Sequence, residues 1–102
     1  MNVVFYGASN PQIIKSLDDV KSANRDFVCL GFIDNDPGKQ NRLFGDYVVL
    51  GGDEVLKNII SDDVYFVNTI TRNMELRYER SEFLSESGCK ALLEHSGIEV
   101  KK

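Results

Sequence analysis

A chain of 102 residues, 42% hydrophobic and 27% charged, has material for one packed core and little for a second. Its net charge of −4, from 16 acidic and 12 basic residues spread along the chain, argues against a dedicated nucleic-acid binder, which needs clustered Lys and Arg to neutralise phosphates. No apolar run approaches the roughly 18 residues of a membrane span, and neither a leader-type segment nor an Asn-x-Ser/Thr sequon occurs. The expectation is a cytoplasmic protein with reduced cysteines and no membrane partner.

Residues 2–6 form an apolar run in which β-branched Val3 and Val4 are followed by Phe5 and Tyr6, ending at Gly7. Continuous rather than alternating apolar character suits a central parallel strand covered on both faces. Asn10-Pro11 then reads as a helix entry, with Asn10 as N-cap and Pro11 where no N–H is needed. Ile13, Ile14, Leu17 and Val20 follow at helical spacing, and that helix is expected to stop near Asn24. A second apolar run, 27–33, leads into the polar cluster Asp34-Asn35-Asp36-Pro37-Gly38, completing a strand-helix-strand unit. Tyr47 to Leu50 predicts a third strand, and Asp53 opens a compact helix with Val55, Leu56, Ile59 and Ile60 inward. Residues 64–67 predict a fourth strand, followed by a loop whose Asn73 caps a helix over 74–87, with Gly88 just past its end. Lys90 to Leu93 predicts a fifth. The expected fold is α/β: one Rossmann-like domain over residues 1–102, with a mostly parallel five-stranded sheet and helices on both faces.

In such a sheet the loops Gly7–Gln12, Asp34–Lys39 and Asn68–Asn73 converge at the carboxyl ends of the strands, the usual binding crevice. The first loop keeps only one glycine of the G-x-G-x-x-G pattern, with Ser9 and Gln12 in the other two places. Two readings stand for it: a phosphate-holding turn at a helix start, or a tight turn with no ligand. Asp34 closes the second strand where a carboxylate accepts hydrogen bonds from ribose hydroxyls, and Asn35 adds a donor and an acceptor; the same five residues are also ordinary turn formers. A calcium loop fails there, because Lys39 stands where it needs glycine and Gly45 where it needs glutamate. His95 is tied to no Ser, Cys or carboxylate by a recognisable motif, and Cys29, Cys89 and His95 lack metal-ligand spacing, so no catalytic and no metal residue is assigned. Tyr6 and Phe32 are read as core, Cys29 and Cys89 as small buried apolar groups, and the charges from Arg72 to Arg80 as a solvated helix face.

Four stretches taken together resemble a known family: Val3-Val4-Phe5-Tyr6-Gly7-Ala8, then Gly31-Phe32-Ile33-Asp34-Asn35-Asp36-Pro37-Gly38-Lys39-Gln40, then Val48-Val49-Leu50-Gly51, and Glu75-Leu76-Arg77. They are similar to the N-terminal domain of bacterial sugar O- and N-acyltransferases. These are the sialic acid O-acetyltransferase and UDP-4-amino-sugar N-acetyltransferase type, also called PglD-like. The resemblance spans nearly the whole chain, and the second stretch is its most specific part. It implies a domain that binds the nucleotide of a UDP-linked amino sugar, with phosphate near Gly7, Ala8, Ser9 and Asn10 and uridine near Asp34 and Asn35. Arg72, with Asn73 beside it, adds a candidate phosphate contact of the crevice. Where the family has further glycines and a histidine in the first loop, this chain has Ser9, Asn10, Pro11 and Gln12. Catalysis in the family belongs to a left-handed β-helix domain that trimerises and binds acetyl-CoA. His95-Ser96 falls where the family's His-Pro-Ser junction opens that domain, so the resemblance implies that residues 1–102 are the binding half, with no cofactor of their own. Implied partners are the nucleotide-linked sugar, an acyltransferase β-helix domain or further copies of the chain, and the implied role is in surface polysaccharide synthesis. An NAD(P)-binding oxidoreductase fragment and an interaction domain without ligand remain the alternatives.

Overall fold

The computed structural model describes residues 1–23, 26–70 and 73–91. Strand β1 is Asn2–Tyr6, helix α1 Gln12–Ala23, β2 Val28–Ile33, β3 Leu43–Phe44 and β4 Tyr47–Gly51. A 3-10 turn, Asp53–Val55, leads into the short helix α2, Leu56–Ile59; β5 (Val64–Asn68), α3 (Met74–Glu86) and β6 (Lys90–Ala91) follow. The chain is thus α/β with one six-stranded sheet in the order β3-β4-β2-β1-β5-β6. Pairings β1·β2, β1·β5, β2·β4 and β5·β6 are parallel, and β3·β4 is antiparallel.

Five strands were expected, and the sixth, β3, corrects that count. It arises because Gly45 takes a left-handed φ of 66° while Asp46 does not. A glycine at the first central position of a two-residue loop gives the type II′ turn that suits a hairpin. Leu43 and Phe44 therefore fold back beside Val48 and Tyr47, a local pairing that the polar stretch before them concealed. Leu92 and Leu93, expected in the last strand, lie outside the described residues, as do Asn24, Arg72 and His95.

Side chains of β1 alternate between two buried clusters. Val3 and Phe5 join Ile13 and Leu17 of α1 together with Phe27, Phe32, Val49 and Val67. Val4 and Tyr6 join Ile33, Leu56 of α2, Val64, Phe66 and Leu84 of α3. The continuous apolar run of β1 follows from this, since every residue from Val3 to Tyr6 is buried. In β2 the register slips: Val3 pairs with Cys29 but Val4 with Gly31, so Leu30 is an extra residue. The slip lets Cys29 and Phe32, three residues apart, belong to one cluster.

Helix ends follow their sequence signals. Asn10 Oδ1 accepts from the Gln12 N–H at 3.0 Å at the start of α1, and Asn73 Oδ1 accepts from the Leu76 N–H at 3.0 Å at the start of α3. At the other end of α3, Cys89 N–H donates to Leu84 C=O and Gly88 N–H to Ser85 C=O, a Schellman ending.

Phe32 is the hub of the first cluster, fully buried and in ring contact with Phe5 at 5.3 Å, Phe44 at 5.0 Å and Tyr47 at 6.3 Å. Phe32→Ala is expected to destabilise the fold by about 3–5 kcal/mol through the cavity it leaves, read as a lower urea midpoint. Val48→Ala, on the exposed side of β4, is expected to change stability by under about 1 kcal/mol.

Candidate functional site

The described residues of the three predicted loops meet at the carboxyl edge of the sheet. Beside β1, the chain crosses from β2 and β4 on one side to β5 on the other. Between the β1 and β5 loops lies a crevice of about 310 Å³ lined by Gly7, Ser9, Asn10, Thr69, Asn73 and Leu76. A neighbouring one of about 320 Å³ is lined by Tyr6, Gly7, Ser9, Asp34, Asn35 and Arg80, among others. Of the expected site residues, Gly7, Ser9, Asn10, Asp34, Asn35 and Asn73 each border one of these crevices. Ala8 is buried just beneath. Arg72 lies outside the described residues.

Gly7 is required at its position twice over. Its φ of 109° is left-handed, and a Cβ would stand 2.7 Å from Thr69 Oγ1. Thr69 is the buried polar residue that needs this approach, because its hydroxyl bonds the Tyr6 C=O at 2.9 Å and the Gly7 C=O at 2.8 Å. The Gly7 N–H donates to Ile33 C=O at 2.7 Å, and the Ala8 N–H to Asp34 Oδ2 at 2.9 Å. Two amides that a glycine-rich loop would aim at a phosphate are therefore occupied within the protein.

Asp34 works as a turn former and as a brace at once. Its Oδ1 accepts from the Asp36 N–H at 2.9 Å, and Asp36 Oδ1 in turn accepts from the Gly38 N–H at 2.9 Å. Each Asp34 oxygen takes one N–H, which leaves lone pairs on a carboxylate that can accept about four. Asn35 is exposed; its Oδ1 accepts from the Asp53 N–H at 2.7 Å. No acceptor for its Nδ2 is found among the described residues, and the residue borders the crevice. Gly52 keeps this arrangement open, since a Cβ there would fall 2.5 Å from Asn35 Oδ1 and 3.0 Å from Gln40 Nε2.

A polar cluster that the sequence did not signal closes the second crevice. Tyr6 is buried, as expected of a core residue, but its hydroxyl donates to Asp53 Oδ1 at 2.7 Å and accepts from Arg80 Nη2 at 2.8 Å. Arg80 Nη2 also meets Asp53 Oδ2 at 2.6 Å, and its guanidinium lies 4.4 Å from the centre of the Phe83 ring. Arg77 turns inward too, donating to Ile70 C=O at 2.5 Å. The expectation that these arginines only solvate a helix face is therefore corrected: buried backbone and phenol oxygens at the sheet edge need donors, and α3 supplies them. The signal available in sequence was a tyrosine at the very end of an apolar strand, where its hydroxyl reaches the rim.

Cys29 and Cys89 are free and partly buried, and burial pushes both thiols up to about 11. Among the described residues no group of His, Cys, Asp and Glu is placed to hold a metal ion, and no helix is long and apolar enough to cross a membrane.

Burial, reinforced by the hydrogen bond to Asp53, pushes the Tyr6 phenol up to about 12. Above about pH 10 the unfolded chain releases this proton while the folded chain keeps it, so its share of stability is lost as pH rises from about 10 to 12. Alkaline absorbance titration should show one of the four tyrosines ionising near pH 12, a step missing in Tyr6→Phe. The two thiols contribute a separate decline between about 9 and 11, which phenolate absorbance does not register. No family model, curated protein or solved structure matches the chain, so the chemistry of this edge rests on its own geometry.

Proposed function

We propose that this domain binds the nucleotide of a nucleotide-linked sugar, in the manner of the UDP-amino-sugar-holding half of a bacterial sugar acyltransferase. On this reading the fold is Rossmann-like and doubly wound, with α1 on one face of the sheet and α2 and α3 on the other. The domain presents substrate in the cytoplasm for surface polysaccharide synthesis. Acetyl-CoA and the acyl-transfer groups would belong to an associated β-helix domain or further subunits.

The observation that carries the reading is the juxtaposition, at the point where the chain reverses direction across the sheet, of the β1 loop with Asp34 and Asn35. Ligands of open α/β sheets collect at such a point. Asp34 retains lone pairs for sugar hydroxyls, and the Asn35 Nδ2 offers a donor to a carbonyl of a pyrimidine ring. Leu76 and Ile70 give the crevice an apolar wall for a flat ring. The resemblance across the four stretches supplies the choice of a sugar nucleotide over NAD(P).

Calorimetry with UDP and UDP-N-acetylamino sugars is expected to give saturable binding, while NADH gives no fluorescence enhancement. Asn35→Ala should weaken UDP by about 5- to 20-fold, the worth of one or two neutral hydrogen bonds. No heat with UDP at millimolar concentration would sink the reading, and NADH enhancement would replace it with the oxidoreductase alternative.

A further inference from the structure

We infer that the phosphoryl group of the nucleotide is held by side-chain cations, Lys39 and Arg42 with the Ser9 hydroxyl, in place of the loop amides; this rests on the nucleotide reading above. The Gly7 and Ala8 N–H groups are committed to Ile33 C=O and Asp34 Oδ2, so a cradle of successive amides is not on offer. Lys39 reaches over the same loop from the far side. Its Nζ donates to Ala8 C=O at 3.0 Å and to Ser9 Oγ at 3.2 Å. An ammonium has three N–H donors, which leaves one for a ligand, and the side chain is 38% exposed, within reach of solvent.

Arg42 stands beside it. Both line a cavity of about 310 Å³ with Ser9, Gly38, Phe44 and Val49. The Arg42 guanidinium has no side-chain partner among the described residues, so its fork is free for a bidentate contact. Acidic groups facing Lys39 are Asp34, whose Oδ2 is 3.8 Å from Nζ and already binds the Ala8 N–H, and Asp36, whose Oδ1 is held by Gly38. Two carboxylates thus stand near the two cations, and of them Asp34 is the one in ion-pair range of Lys39.

The loop that carries both cations is pre-organised. Lys39 N–H donates to Asp36 C=O, Arg42 N–H to Lys39 C=O, Asn41 N–H to Val49 C=O and Val49 N–H back to Arg42 C=O. Gln40 Nε2 fastens the centre of the loop to Asp34 C=O. Cations held on so braced a segment lose little freedom on meeting a phosphate. Chemically the site fits a doubly charged phosphoryl or diphosphate group.

The full chain should be titrated with inorganic pyrophosphate by phosphorus NMR, and with UDP and uridine by calorimetry. Expected are pyrophosphate binding that weakens as salt rises, and a loss of about tenfold in pyrophosphate and UDP affinity for each of Lys39→Gln and Arg42→Gln. Lys39→Arg should restore most of it, uridine should bind all variants alike, and Lys57→Gln, an exposed cation on α2, should match the parent chain. If Lys39→Gln loosens the loop, Arg42→Gln carries the test, since that side chain has no side-chain partner among the described residues. Binding of UDP with pyrophosphate ignored, or with both variants unimpaired, overturns the inference and leaves the nucleotide reading standing. Pyrophosphate bound as tightly as UDP, with the losses above, supports the cationic site and removes the nucleotide reading. Pyrophosphate and UDP both ignored overturns the two together.

Discussion

Two backbone donors at the end of β1 decide how the carboxyl edge of this sheet is built. The Gly7 N–H extends the ladder to β2 by one more bond, and the Ala8 N–H fixes the Asp34 carboxylate. Asp34 is thereby held in the orientation that shapes the following turn, and that turn delivers Lys39 back over Ala8 and Ser9. The loop, the carboxylate and the cation form one circuit, of hydrogen bonds through Ala8 and Ser9 and a 3.8 Å ion pair between Lys39 and Asp34. Loosening any member releases the others, because each would leave a partly buried polar group without its partner.

A second circuit, Tyr6–Asp53–Arg80, joins three elements that are distant in sequence: the end of β1, the 3-10 turn after β4, and α3. The Arg80 and Asp53 side chains are 25% and 30% exposed, so their attraction is less screened than that of a surface pair. Its place in the molecule is the opposite flank of Asn35 from the Lys39 circuit. The rim of the crevice is therefore polar on both sides and braced from both sides, while Ile70 and Leu76 provide its apolar wall.

The strands and helices were legible because their signals are local. Val3 to Tyr6 is buried on both sides and reads as an unbroken apolar run; Asn10, Asn73 and Gly88 sit where capping chemistry places them. The hairpin at Gly45 was not legible, since two residues of strand are too short to show a period and the turn signal is a lone glycine. Nor was the Arg80 circuit: an arginine among the charges of α3 looks like any solvated residue until the fold brings a phenol and a carboxylate beside it. Asp34 was legible as both a turn former and a candidate ligand group because the same carboxylate chemistry serves each role. What separates them is the number of lone pairs left over, a quantity that only three-dimensional partners determine.

The extra residue in β2 bears on how this chain can change. Leu30 contributes a partly exposed side chain whose identity matters little to either cluster, and it stands opposite no residue of β1. Removing it would leave Cys29 opposite Val3 and Gly31 opposite Val4 with no residue between them, so Phe32 and Ile33 would keep their partners and their clusters in an unbroken ladder. Position 30 should therefore accept many side chains and even its own deletion, whereas losing a paired residue of β2 would turn the rest of the strand over.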